Sequence, residues 1–358
     1  MKRLTRYLAR EIYYGIFIVF MALLMLYTFM NFVQELGDMG RGSYHLGYVV
    51  LFIALQTPTH IYELFPLAVL IGTVFALVQM AGNSELTIYR SSGVSLGQML
   101  GALFKIGLPL VLMCILVGEW VAPVGENWAQ KVRLKAQNSQ ISLKEFRSGV
   151  WVKDGTNFVN VRNVLPDATL LNISIYEFDD ERNLKSITLA DSAAIVGKNH
   201  WELHAVKQTL FAEQGATINN QPVFEWQTAI SPNIFNVLLT LPEDMSAYDL
   251  FQYTKHLSDN HQKTGRYQIA MWNKIVYPIA VWIMLLLALP FAALHHRQGG
   301  VSGKIFVGIA LGLGFHFAGK LFSSLGALHD WSPFWSATLI SWLFFLGALA
   351  TLWKTERR

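Results

Sequence analysis

The chain has 358 residues, of which 53% are hydrophobic and 13% aromatic, while only 15% are charged. Soluble globular domains carry about 25% charged residues, so much of this chain is expected in lipid, and disordered, collagen-like and disulfide-scaffold classes are excluded. The formal net charge is +4, and the single cysteine, Cys114, excludes an intrachain disulfide and a multi-cysteine metal site.

A bilayer span needs roughly 20 apolar residues. The uncharged run from Ile12 to Val33 follows a basic head of Lys2, Arg3, Arg6 and Arg10. It exceeds the roughly 7–15 residues of a signal-peptide core and no A-x-A site follows, so it reads as an uncleaved anchor. Further spans follow, and six transmembrane helices are expected at about 12–34, 62–81, 100–122, 272–294, 304–326 and 333–353. The apolar stretch Tyr48–Gln56 joins the second span through Pro58 and Pro66. One helix over 48–81 would be about 51 Å long, so a short interfacial helix at 46–57 and a bend near Pro58 are expected.

Ten basic residues lie in the N-terminal head, the 82–99 and 295–304 loops and the C-terminus, against Arg41 alone in the short loops of the other side. The positive-inside rule places both termini in the cytoplasm and residues 123–271 outside it.

Between the third and fourth spans the period changes to two. Val150, Val152, Phe158, Val159 and Val161 flank the turn pair Asp154-Gly155; Leu171, Ile173 and Ile175 alternate; Ile187, Leu189, Ala193 and Ile195 continue; Trp201, Leu203, Val206, Val223, Phe224 and Trp226 follow. Many short strands between turns predict an all-β sandwich, jelly roll or open curved sheet. Glu126–Gln140 reads as a polar helix before it. Ser246 and Asp249 form a cap for a helix to about His261, with Tyr248, Phe251, Thr254 and Leu257 on one face. The organisation is a polytopic α-helical membrane protein: a three-helix half at 1–122, a jellyroll-like β domain with flanking helices at 123–271, and a second three-helix half at 272–358.

No catalytic or nucleotide-binding motif stands up. Gly303-Lys304 is followed by Ile305 and preceded by Gln298 where a P-loop needs glycine. Gly93-Val94-Ser95-Leu96-Gly97 matches G-x-S-x-G, but between two spans it reads as a turn and helix start rather than a nucleophile elbow. His256 and His261 are five apart, off the spacing of stacked metal ligands. Ala68/Gly72/Ala76, Gly97/Gly101 and Gly308/Gly312 are small residues four apart that let helices approach, within the chain or against a partner. Ionisable groups in or near spans are costly and mark candidate function. Lys105 snorkels near the cytoplasmic end; Glu119 and Lys320 lie toward the outer leaflet, Lys274 at the mouth of the fourth span, and Lys131, Arg133 and Lys135 above the third. Bases at this height suit a phosphorylated head group, or serve as interfacial anchors. Between spans two and three, Ser84, Glu85, Leu86, Thr87, Ile88, Tyr89 and Arg90, ending near Gly93, read as a short docking helix along the membrane or a plain turn.

Gly118-Glu119-Trp120-Val121-Ala122-Pro123, Trp151-Val152-Lys153-Asp154-Gly155, Asn172-Ile173-Ser174-Ile175-Tyr176, Gly265-Arg266-Tyr267-Gln268 and Met271-Trp272-Asn273-Lys274-Ile275, with six spans split by a β domain, resemble the LptF/LptG lipopolysaccharide export permeases. Ser84-Glu85-Leu86 with Ser92-Gly93 is similar to that family's coupling-helix region. The resemblance covers nearly the whole chain. It implies a permease in the bacterial inner membrane that pairs with an LptF-like chain around a cavity open to the outer leaflet. It also implies a cytoplasmic LptB-like ATPase dimer on the coupling helices, LptC-like and LptA-like jellyroll partners in the periplasm, and lipopolysaccharide as cargo. Neither a nucleic-acid partner nor a cofactor of its own is expected, ATP being bound by the partner ATPase. Glu85 would contact the ATPase, with Ser84, Leu86, Ile88, Tyr89 and Arg90 beside it. Arg133 falls where the family places a base near substrate phosphates, whereas Gln130 stands at a neighbouring basic position. Asn31, Gly37 and Asp38, with Arg41 nearby, stand where the family often carries lysines at the end of the first span. The phosphate-binding expectation therefore rests on Lys131, Arg133 and Lys135, with Lys274, Lys320 and Arg41. A lipoprotein-release or mechanotransmitting permease would carry its external domain after span one. A membrane-anchored adaptor using an open β edge is the alternative from another class, and an intramembrane hydrolase would depend on Ser95.

Overall fold

The computed structural model describes residues 2–40, 42–85, 91, 93–136, 141–142, 150–164, 169–179, 181, 183–197, 200–212, 215–228, 241–293 and 301–356. Among these residues, six helical stretches are long and apolar enough to cross a membrane: Thr5–Leu36, Leu46–Gly82, Gly97–Arg133, Gly265–Phe291, Ser302–Leu328 and Pro333–Lys354.

Helix α1 (Lys2–Leu36) packs along α2 (Leu46–Gly82). The expected separate short helix at 46–57 is not found: α2 runs through Pro58 and Pro66 as one helix of 37 residues. A proline removes one amide and crowds the carbonyl four residues back. Inside a bundle, neighbours and hydroxyl side chains can take up the freed groups. Thr57 donates to the Ile53 carbonyl at 2.9 Å, and α1 and the helices named below hold α2 along its length. The His45 ring caps its start by accepting from Gly47 N at 3.1 Å.

The helices meet where side chains vanish. A β-carbon on Gly15 would lie 2.6 Å from the Gly72 carbonyl, and one on Gly72 would lie 2.6 Å from Ile16 N, so backbone touches backbone. Ala68 and Ala76 are buried in the same core. Gly308 faces Val74, and Gly312 faces Leu67, so these two small-residue rows serve packing within the chain. Gly101 faces open space.

Helix α3 (Leu96–Leu116) opens on a reciprocal cap: Gln98 N donates to Ser95 Oγ at 3.3 Å, and Ser95 N donates to Gln98 Oε1 at 3.2 Å. Ser95 is thus a helix cap, which accounts for the G-x-S-x-G match. A π turn at Val117–Val121 leads without a break into α4 (Ala122–Ala136), so the expected span and polar helix are one continuous path. After the sheet come a 3₁₀ turn (Pro242–Asp244), α5 (Ala247–Asp259), α6 (Gly265–Ala293), α7 (Val301–Leu328) and α8 (Pro333–Glu356). Helix α2 contacts α1, α4, α6 and α7. It is largely buried, whereas few residues of α1 and α7 are.

Among the described residues the strands of the β unit form one antiparallel sheet: β1 (Ile141–Ser142), β2 (Val150–Asp154), β3 (Asn157–Val164), β4 (Leu170–Phe178), β5 (Leu184–Gly197), β6 (His200–Ala212) and β7 (Gly215–Gln227). Strands β3 to β7 form a meander, and β1 and β2 both pair with β3. Two residues in the left-handed region, Asn172 (φ 54°) and Ala205 (φ 54°), shift the alternation of β4 and β6. Leu170 and Ile173, three apart, therefore share the buried face, as do Leu203 and Val206, and Leu171 is only half-buried. Over the first half of β5 the phase is opposite to the expected one: Ser186, Thr188 and Ala190 are buried and Leu189 is exposed, while Ala193 further along is buried as expected. Small residues sit opposite large ones there, Ala190 pairing with Ile173, and Ser186 donates its hydroxyl to Glu177 at 2.6 Å.

Helix α5 joins sheet and bundle. Its buried face is Leu250, Thr254 and Leu257, with Tyr248 and Phe251 exposed, so the expected stripe is turned by about one residue. Tyr253 packs on the sheet core, and Leu250 packs with Met245 and Ala270. At its end Asn260 accepts from Gly155 N at 3.2 Å through its side chain and from Lys153 Nζ at 3.3 Å through its carbonyl.

Candidate functional site

Charged and polar side chains gather where the helices meet the sheet. The residues expected to bind substrate do not form one cluster there. Lys131 and Lys135 lie one turn apart on α4, both exposed, and among the described residues neither has an ionic partner. Arg133, on another face of the same helix, turns to α1. Its Nη1 is 3.4 Å from Glu35, its Nη2 pairs with Asp38, and its guanidinium lies 5.2 Å from the centre of the Phe52 ring. Glu35 is buried and also accepts from Tyr44 at 3.0 Å. Burial and this bond to Glu35 raise the Tyr44 phenol well above its ordinary value, so it stays a donor.

Lys274 is tucked inward. It donates to the Gly118 carbonyl at 3.3 Å, beside the π turn, and lies 4.6 Å over the Tyr62 ring. Gly118 is required here, since a β-carbon would strike Tyr62. Lys320 on α7 pairs with Glu63 on α2 at 3.2 Å; Tyr27 reaches the same carboxylate at 3.5 Å, and Tyr277 donates to the Glu63 carbonyl at 2.5 Å. Arg41 lies outside the described residues.

Carboxylates outside the expected substrate-binding set organise the rest. Glu126 accepts from Gln56 at 3.1 Å, Gln130 at 2.7 Å and Thr59 at 3.4 Å, tying α4 to α2. Asn31 extends the network to α1 by donating to Gln56 at 3.1 Å. Asp244 faces Glu126, Glu63 and Lys274; burial first, then the two acids, push its carboxyl up to about 7. Glu119, delivered by the π turn, accepts from Ala247 N at 2.9 Å and Tyr248 N at 3.1 Å, while Ser246 Oγ accepts from Asp249 N at 3.0 Å. The first amides of α5 are thereby satisfied by a residue of the third span. The signal for Glu63 was present: it is an acid at the rim of an apolar run. Glu35, two residues beyond the Ile12–Val33 run, carried the same mark, whereas Asp244 had none.

At the opposite end, Glu85 accepts from Tyr7 of α1 at 3.0 Å and from Asn83 at 3.3 Å. Ser84 has φ 62°, with its amide bonding to the Ala81 carbonyl, and stands between the end of α2 and helical backbone at Glu85 and Ser91. Leu86, Ile88, Tyr89 and Arg90 lie outside the described residues.

Between these ends, α1 presents Phe17, Met25, Phe29 and Val33, and α7 presents Phe306, Phe317 and Leu321, all exposed. A multi-pass membrane protein with two bare helical flanks around a buried central helix, polar groups at one end and a β unit beyond them has the build of a transporter's membrane subunit. Residues 6–354 match the family model "Lipopolysaccharide export system permease LptF/LptG", and the chain belongs to that family. It is 32% identical over 357 residues to the lipopolysaccharide export system permease protein LptG of Escherichia coli strain K12, covering 99% of this chain and 98% of that one. It is 31% identical over 344 residues to the LptG protein of Haemophilus influenzae, covering 96% of each. The chain is therefore a transport subunit of a lipopolysaccharide export system.

Proposed function

We propose that this chain is the permease subunit that draws lipopolysaccharide from the outer leaflet of the bacterial inner membrane and delivers it to its β domain. The shape of the polarity carries the reading. The apolar flanks of α1 and α7 stand beside α2, and the bases Lys131 and Lys135 lie exposed at the sheet end. An amphiphile with several acyl chains and phosphates needs that pairing of wide apolar wall and basic rim. In this account both termini are cytoplasmic and the sheet is periplasmic. An LptF-like chain covers the flanks to enclose the cavity. A cytoplasmic LptB-like ATPase dimer docks around Ser84–Arg90, with Glu85 as a contact, and supplies the free energy. LptC-like and LptA-like carriers receive the lipid from the sheet. Lys320, paired with Glu63, and Lys274, on the Gly118 carbonyl, add positive charge at the cavity mouth.

The test uses the chain with its sister subunit and ATPase in nanodiscs. Lipopolysaccharide is expected to stimulate ATP hydrolysis, and photocrosslinkers at Phe29 and Phe317 are expected to label the lipid. The Glu85→Lys variant is expected to lose stimulated hydrolysis. Partner binding without lipid-dependent hydrolysis would instead support an adaptor.

A further inference from the structure

Arg133 offers a fork of N–H donors, and both prongs are taken by acids of α1 and the turn after it. The two acids are not equivalent. Glu35 is buried and held by Tyr44, while Asp38 is more exposed, with its backbone amide donating to the Glu35 carbonyl at 3.1 Å. The guanidinium keeps its seat on Phe52 whichever anion it faces. About a quarter of the Arg133 side chain is open. Lys131 and Lys135, exposed on another face of α4, add positive charge to the same end of the helix.

We infer that Glu35 and Asp38 are positioning residues that occupy the place a lipid phosphate takes on Arg133, so that phosphate binding and the α1–α4 ion pairs exclude one another. This rests on the extraction reading above. A phosphate brings more charge than one carboxylate and fits the same planar fork. It displaces Asp38 first, because Asp38 is the less buried partner. Losing Arg133 leaves Glu35 short of a counter-charge, which favours movement of the end of α1 away from α4. Phosphate recognition is then coupled to freeing the end of α1, and a lipid without phosphate does not trigger it.

The experiment measures binding of lipopolysaccharide and of enzymatically dephosphorylated lipopolysaccharide to the complex in nanodiscs. It compares wild type with Asp38→Asn, which keeps the size and a hydrogen-bonding group, and with Arg133→Gln. Asp38→Asn is expected to bind the phosphorylated lipid about threefold to tenfold more tightly, in the range of partly desolvated charge pairs. Its affinity for the dephosphorylated lipid should be unchanged, and Arg133→Gln should distinguish the two lipids less sharply than wild type. A merely structural role for Asp38 predicts weaker or equal binding of both, and that result overturns the inference while leaving extraction standing. Wild type that binds both lipids equally does the same. Wild type that binds neither overturns the extraction reading, and this inference falls with it.

Discussion

Replacing Glu119 by alanine tests whether the third span holds the helix that links sheet to bundle. The carboxylate accepts from Ala247 N at 2.9 Å and Tyr248 N at 3.1 Å. Hydrogen bonds to a charged group contribute about 1.5–3 kcal/mol each when dry. Tyr248 is exposed, so water replaces its bond at small cost, and the loss falls mainly on Ala247 and on the charge–dipole interaction of about 0.3–1 kcal/mol. Removal of a helix cap costs about 0.5–2 kcal/mol in comparable cases. Together these give about 1–3 kcal/mol, or roughly a five- to hundredfold faster local opening at 1.4 kcal/mol per factor of ten. Hydrogen–deuterium exchange of the peptide covering Ala247–Asp259 reads this directly. Glu119→Gln, which keeps an acceptor but not the charge, should fall between wild type and Glu119→Ala. Ser246 still caps Asp249 N, so the effect should stay within the first turns. If Glu119→Ala exchanges this helix at the wild-type rate, the cap across the two parts of the molecule contributes nothing and the reasoning fails.

The Asp244 carboxyl titrates near 7 in the folded chain against an ordinary 3.8, so its stabilising contribution is complete below about 3.8 and is lost as pH rises through about 7. Thermal unfolding in nanodiscs should therefore show a midpoint falling between pH 5 and 8, and Asp244→Asn should flatten that slope; an unchanged slope would remove Asp244 as its source. Gly72→Val forces a side chain into the Ile16 backbone and should lower stability by about 1–3 kcal/mol, while Gly101→Ala, facing open space, should be close to neutral in the same melt.

What could be read from residues alone follows from which constraints are local. The six spans were legible because hydrocarbon demands long apolar runs whatever the neighbours. The sheet was legible from its turn pairs, and Asp154-Gly155 does connect β2 to β3. The face of each strand was less so. A left-handed Asn172 or Ala205 changes the phase of everything after it, and β5 buries Ser186 and Thr188 because its neighbours carry the bulk. Pro58 misled for a related reason: proline's cost is local, but the packing that overrides it comes from other helices. Among the candidate site residues, residue types were readable and partners were not. Arg133 meets Asp38 at a separation of 95 residues, and Lys320 meets Glu63 at 257. No spacing rule reaches that far.

The crossing of α1 over α2 at Gly15 and Gly72 has a mechanical side. Tyr7, which touches Glu85, lies about 12 Å along α1 from that crossing, and Glu35, which holds Arg133, lies about 30 Å beyond it on the other arm. Were α1 to pivot as a rigid rod at this closest approach, a tilt that displaces the Tyr7 end by ~1 Å would swing the Glu35 end by ~2.5 Å in the opposite sense. The unequal arms would then make the side-chain-free contact a step-up gear between the two ends of the molecule.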